Sequence, residues 1–380
     1  MRKTKKVGKV KSKSISIPRH MKKEWKLFYV LLLITLLLGT LNVAQAKGYF
    51  VPNLSDLWSD NVDEENVIHL DNLTLEQKIA QMVITHGGTH NREAWQRMQL
   101  GGIHLFAMES EELFTYVIND FQEGMTIPFF VTADLEGCWN PFANFYDSVS
   151  VSDINSTEDA YQKGLVDGEL LSRMGFTINF APVVDLDDKI WGCRSFPGDE
   201  QRISELAESY IFGIQEQGLI ATAKHYPGKT LVVLDPHQEL VVAEIESEDL
   251  YPYEYLSTGD RVRSFMVSHI IAFGDVHSQG IPSVVSSDII GPLKEDYSGL
   301  IISDDTMMLG LRNFYDDVDQ LYVDVFAAGN DLVINFDEDP NEIYRMITVV
   351  EEAVNRGEIS EEQIDNSVRK ILTAKGFVVK

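Results

Sequence analysis

The sequence predicts an α/β fold, a TIM-type (β/α)8 barrel forming a single domain over residues 47–380 behind an N-terminal export segment at residues 1–46. Three observations predict it. From Lys47 onward, short apolar runs alternate with helix-like stretches, with no linker, low-complexity tract or short repeat between them. Counted along the chain, the runs give the eight strands that close a parallel barrel. No Gly-x-Gly-x-x-Gly turn follows the first strand, as an open doubly wound nucleotide-binding sheet would normally require. A length of 380 residues, 44% hydrophobic and 24% charged, suits a folded enzyme-sized chain with a sizeable core.

Residues 1–46 hold eleven basic residues, from Arg2 to Lys26, and one acid, Glu24. An apolar run from Leu27 to Val43 follows and ends in Ala44-Gln45-Ala46, the small-x-small pattern of a signal-peptidase site, with Met21 an alternative start. The alternative is an uncleaved membrane anchor, because the run lies near the lower limit for crossing a bilayer. Either way the remainder is expected in an oxidising space, periplasmic or extracellular. The formal net charge is −27, and the acidic excess is larger still without the leader. Such a surface repels anionic polymers and excludes a nucleic-acid partner held by phosphate attraction. Two cysteines exclude a disulfide-built scaffold.

The strand candidates run in order near Met82 to Thr85, then Gly102 to Phe106, Phe129 to Ala133, Ile178 to Pro182, Ala221 to Ala223, Phe265 to Ser268, Leu300 to Ser303 and Leu332 to Asn335. Helical patterns lie between them. Thr74 opens one over Leu75 to Met82, with Gln77 three residues on as a capping box, and another covers Glu205 to Gln217. In a barrel the residues just past the carboxyl ends of the strands converge on one mouth. Here they are Asp134 and Glu136, Asp185 and Arg194, Lys224 and His225, His269, and Asp304 and Asp305. Strand-end acids are often N-caps of the next helix, which accounts for one of Asp304 and Asp305 but not for Lys224-His225.

At these residues the chain resembles glycoside hydrolase family 3, in its single-domain β-N-acetylhexosaminidase branch, over roughly Leu73 to Gly376. The family's Lys-His-Phe-Pro-Gly stands as Lys224-His225-Tyr226-Pro227-Gly228. Its Asp-Ser-His stands as Asp235-Pro236-His237, and its Ser-Asp-Asp as Ser303-Asp304-Asp305. Asp134-Leu135-Glu136-Gly137, Asn179-Phe180-Ala181-Pro182-Val183, Arg194-Ser195-Phe196 and Ala328-Gly329-Asn330-Asp331 support the match.

The resemblance implies an exo-acting glycoside hydrolase that releases terminal β-linked N-acetylglucosamine from peptidoglycan- or chitin-derived saccharides, without cofactor or metal. A retaining glycosidase needs an ionised nucleophile and a proton donor flanking the scissile bond. Asp304 is the expected nucleophile, its charged form favoured by Lys224 and Arg194 nearby. Asp305 is expected to point elsewhere, in a structural role. Two-domain members of the family borrow a Glu from a second domain, whereas the branch this chain resembles uses a histidine, so the resemblance implies a donor within the barrel: His237, assisted by Asp235. The residue before Pro236 is pushed to an extended conformation, which favours a carboxylate–imidazole contact across the proline. By resemblance Asp134, Arg194, Lys224 and His225 hold the sugar, Met308 lines the pocket, and His269 carries a weaker claim.

Two departures from the family pattern fall at the expected mouth. Cys138-Trp139 replaces Gly-Arg, removing a substrate-side arginine, and Lys229-Thr230 replaces His-Gly. Cys138 follows the third strand's motif and Cys193 immediately precedes Arg194, so a disulfide bracing the Arg194 loop is expected, with two free thiols the alternative. A β-glucosidase or glycoside phosphorylase of the same family, a catalytically silent sugar-binding protein, and a metal-dependent hydrolase using His225, His237, His269 and Asp304 are the competing readings. A carbohydrate is the expected partner; N-terminal membrane association and oligomeric state stay open.

Overall fold

A computed structural model describes residues 19–46, 51–54, 58, 61–62, 66–230, 235 and 237–380. Two compact units separate at Ala46. The first is one helix, Arg19–Ala46, whose described side chains expose Leu27, Phe28, Leu31, Leu33, Leu36 and Leu37. Among the described residues no helix is long and apolar enough to cross a membrane.

The second unit is built on eight parallel strands: β1 (Val83–His86), β2 (Gly102–His104), β3 (Phe130–Ala133), β4 (Ile178–Asn179), β5 (Ile220–Tyr226), β6 (Ser264–Val267), β7 (Leu300–Ser303) and β8 (Val333–Ile334). They pair in the order β7-β6-β5-β4-β3-β2-β1-β8, and the bridge between Ile302 and Leu332 closes the ring from β7 to β8. Runs such as Leu300-Ile301-Ile302 are buried on both faces, which is why the strands read as continuous rather than alternating apolar stretches. The barrel predicted from the sequence is present.

The strand limits differ from the sequence reading for physical reasons. The fourth ends at Asn179 rather than Pro182, because Pro182 has no N–H for the ladder, although Ala181 and Pro182 still accept from Thr222 and Lys224. Helix Leu75–Gln81 starts at Thr74 with the expected capping box. The helix expected from Glu205 begins five residues earlier, at Glu200, where Asp199 accepts from the Arg202 N–H; that first turn is polar and carries no apolar period.

Outside the barrel, Val67–Ile68 pairs with Val378–Val379 and Val242–Ile245 pairs with Ile271–Gly274, both in parallel. The second pair joins the long excursion after β5 to the segment after β6. It anchors the end of the chain stretch that carries Asp235 and His237.

Candidate active site

The floor of the site is a set of charges at the ends of β3, β4 and β5. Glu136 accepts two hydrogen bonds from Arg194, at 2.6 and 2.9 Å, and lies 2.6 Å from Lys224 Nζ. The same ammonium is 2.5 Å from Asp134 Oδ1. Burial opposes charge on Glu136, but the adjacent guanidinium and ammonium outweigh it and hold the carboxyl at about 2. In turn burial disfavours the Lys224 cation, and Asp134 and Glu136 raise its pKa above the ordinary value. Two acids and two bases therefore neutralise each other in place. Gly137 lets the chain turn here: its φ is +98°, and a Cβ would lie 2.6 Å from the Val149 carbonyl oxygen.

His225 stands beside this quartet and faces the cavity because β5 slips register against β6 between Lys224 and Tyr226. The bulge re-aims a side chain that regular alternation would send to the far face. His225 Nδ1 is 2.8 Å from Asp185 Oδ2, while Asp185 also accepts from Tyr253 Oη at 3.0 Å and from Thr230 Oγ1. The departure Lys229-Thr230 thus falls beneath the site, not at its mouth: Lys229 pairs with Glu246 and Asp249, and neither residue lines the cavity.

Asp304 and Asp305 follow β7 and both border the cavity, but the Asp305 carboxylate accepts from the Met307 and Phe336 N–H groups, the structural role expected of it. Burial raises the Asp304 carboxyl, but His269, His225 and His237 outweigh it, so the net shift is downward. The expected partners Lys224 and Arg194 are committed to Asp134 and Glu136, and it is histidines that surround the nucleophile candidate. Burial pushes Asp305 up to about 6 against the Met307 and Phe336 N–H groups that its Oδ1 accepts from, at 3.0 and 3.1 Å. His269 is buried outside the cavity lining, donating from Nε2 to the Asp305 carbonyl oxygen at 2.8 Å. It acts on the site through the Asp305 backbone and through its charge interaction with Asp304, and not by lining the cavity. Met308 lines the cavity as expected.

Asp235 and His237 line the exposed rim of the same cavity. Asp235 Oδ1 lies 2.6 Å from His237 Nδ1 and accepts from the His237 backbone N–H at 3.0 Å. Burial raises the Asp235 carboxyl, and the hydrogen bonds from His237 lower it by more. The Leu309 N–H donates to the His237 carbonyl oxygen at 3.1 Å, tying this rim to the segment after β7. Pro236, expected to favour this contact, lies outside the described residues. Among the described residues, no three His, Cys, Asp or Glu side chains group as metal ligands.

The enclosed space is a cavity of about 420 Å³, of the size that takes a small ligand. Sequence reasoning placed Trp139 at the mouth but missed the rest of the aromatic wall: Phe106, Phe180, Trp191 and Phe336. Phe106 and Phe336 each stand two residues past a strand end, so the rule that found the charged residues would have found them had it included aromatics. His104, at the end of β2, was also missed. Its ring stacks on Phe180, its Nδ1 meets Thr132 Oγ1 at 2.9 Å, and burial lowers its pKa to about 4. Cys138 and Cys193 form a disulfide with their Cα atoms 6.1 Å apart, joining the loops of Glu136 and Arg194. Asp188 shapes the second loop by accepting from the N–H groups of Trp191, Cys193 and Arg194.

Known proteins share this arrangement of chain. It is 27% identical over 304 residues to a β-N-acetylglucosaminidase/β-glucosidase of Cellulomonas fimi, a match covering 73% of this chain and 52% of that one. A 28% identity over 224 residues relates it to the β-hexosaminidase LpqI of Mycobacterium bovis, covering 55% and 56%. The chain thus spans about half the length of these relatives. A glycosyl hydrolase structure from Mycobacterium smegmatis superposes with a TM-score of 0.73 at 24% identity, covering 80% of this chain and 98% of that one, a likeness of fold. Residues 74–374 match the glycosyl hydrolase family 3 N-terminal domain, and the chain belongs to that family.

Proposed function

We propose that the protein is an exo-acting, retaining β-N-acetylglucosaminidase that removes terminal β-linked N-acetylglucosamine from peptidoglycan- or chitin-derived saccharides. One observation carries the reading: an ionised strand-end carboxylate, Asp304, shares a single cavity with a carboxylate-bound imidazole, His237. The names of the relatives support the choice of sugar.

In the first step Asp304 attacks the anomeric carbon while His237 passes a proton to the departing oxygen, breaking the glycosidic bond and forming a glycosyl ester. In the second, His237 takes a proton from water, which attacks the same carbon and frees Asp304. Asp235 holds the imidazole in place through its contact with Nδ1 at 2.6 Å. Asp134, Arg194, Lys224 and His225 present fixed donors and acceptors to the sugar hydroxyls, with Met308 and the aromatic wall beneath the ring.

The disulfide supports placement in an oxidising compartment, with residues 1–46 serving as an export signal or, uncleaved, as an anchor. The deciding assay is a panel of aryl β-glycosides with and without the 2-acetamido group, with the anomer of the first-formed product read by NMR. Turnover of the acetamido sugar with retention is expected. Preference for plain glucosides, or inversion, defeats the reading.

A further inference from the structure

We infer that Trp139 and Trp191 form a disulfide-tied aromatic platform for a neutral sugar on the leaving-group side, and that the site selects against leaving groups bearing a carboxylate. The inference rests on the hydrolase reading and names the substrate class of that site.

The position of Trp191 follows from the proton donor. Its ring meets the His237 ring edge-on, with centroids 6.2 Å apart. A group that protonates the departing oxygen faces the leaving sugar, and so does a ring packed against it. Trp139 is brought to the same side by the Cys138–Cys193 bond, which links its preceding residue to the loop two residues beyond Trp191. Trp139 stays 53% exposed while lining the cavity, an indole face open to an incoming sugar. The Arg194 guanidinium lies over the Trp191 ring, 4.8 Å from its centroid, and fixes that ring in place.

Charge sets the preference. The lysine and arginine that line the cavity, Lys224 and Arg194, are both held against Glu136. His237 faces Asp235, and Asp304 adds a further carboxylate to the cavity lining. A carboxylate on the leaving sugar would therefore meet acids and committed cations, within a protein of net charge −27.

Three substrates separate the outcomes: chitotriose, the N-acetylglucosaminyl-β-1,4-N-acetylmuramic acid disaccharide, and N-acetyl-β-glucosaminyl fluoride, which has no leaving sugar. Chitotriose should exceed the muramic acid disaccharide in kcat/KM by about ten-fold or more, with added salt narrowing the gap as repulsion is screened. Trp139→Ala and Trp191→Ala should each lower kcat/KM for chitotriose by about ten-fold and for the fluoride by much less, since aromatic contact energy is then lost only where a leaving sugar is present. Equal cleavage of the two saccharides, or parallel losses on chitotriose and the fluoride, overturns the inference. An inert fluoride defeats the hydrolase reading instead. The platform is then tested by the tryptophan fluorescence of Asp304→Asn on adding chitotriose: a change that Trp191→Ala abolishes upholds it, and no change overturns it.

Discussion

The floor and the rim of the cavity hold their charges in different ways. On the floor, Glu136, Arg194 and Lys224 are nearly buried and bind one another across three strands, so each depends on groups more than fifty residues away in sequence. On the rim, His237 is half exposed, and its carboxylate partner is two residues away. A buried charge must be neutralised where it stands, which preforms the binding surface and makes the floor part of the fold. The exposed pair has water for a neighbour and contributes little to stability. Substitutions on the floor should therefore affect folding and activity together, and substitutions on the rim activity alone.

Asp304 lies where the two regions meet and carries the largest expected effect. Asp304→Asn keeps the acceptor for the Asp305 N–H while removing the nucleophile. Turnover should fall by on the order of 10⁴- to 10⁶-fold with the melting temperature nearly unchanged. Residual activity near wild type, measured on an aryl N-acetyl-β-glucosaminide, would move the nucleophile elsewhere.

His237→Ala should reduce kcat by about 10²- to 10⁴-fold, the usual contribution of a general acid. The loss should shrink as the leaving phenol becomes more acidic, because a better leaving group needs less protonation. A loss independent of the leaving group would assign His237 a binding role. The melting temperature should again stay put, as expected of a rim residue.

On the floor, Glu136→Gln leaves Arg194 without its counter-charge and should cost about 3–5 kcal/mol of stability. Chemical denaturation would show a lowered midpoint together with weakened substrate binding. An unchanged midpoint would erase the distinction between the two regions.

How much of this was legible in the sequence follows the same division. The barrel was legible because the strands are apolar runs and helices such as Glu200–Glu216 carry a 3.6-residue period between them. The residues at strand ends were legible because the fold sends them to one mouth, and Cys138 and Cys193 because neighbouring strands carry their loops. Pairing was not. Nothing local shows that Lys224 and Arg194 are committed to Glu136, and so the histidines around Asp304 went unnoticed as its stabilising neighbours. The bulge in β5 that presents His225 is a register event without a local sequence signal. Thr230 looked like a change at the mouth because its distance from His225 in the chain is short, whereas its hydroxyl turns inward to Asp185.

The smallest expected effect lies in the pH dependence of stability, where three buried groups act in two directions. Glu136, held at about 2 from an ordinary 4.5, contributes stability that is present above pH 4.5 and lost as pH falls toward 2. His104, lowered from 6.5 to about 4, contributes stability that is present above pH 6.5 and lost as pH falls to 4. Asp305, raised from 3.8 to about 6, does the reverse: its contribution is full below pH 3.8 and is lost as pH rises through 6. Between pH 4 and 6 His104 and Asp305 oppose each other, so their joint effect is nearly flat and the steep loss begins only in the Glu136 window. Asp305→Asn removes one side of that balance. Its melting temperature, measured from pH 7 down to pH 4 beside the wild type, should fall earlier and more steeply, as His104 is left unopposed; parallel profiles would mean that Asp305 does not hold its proton in the folded protein.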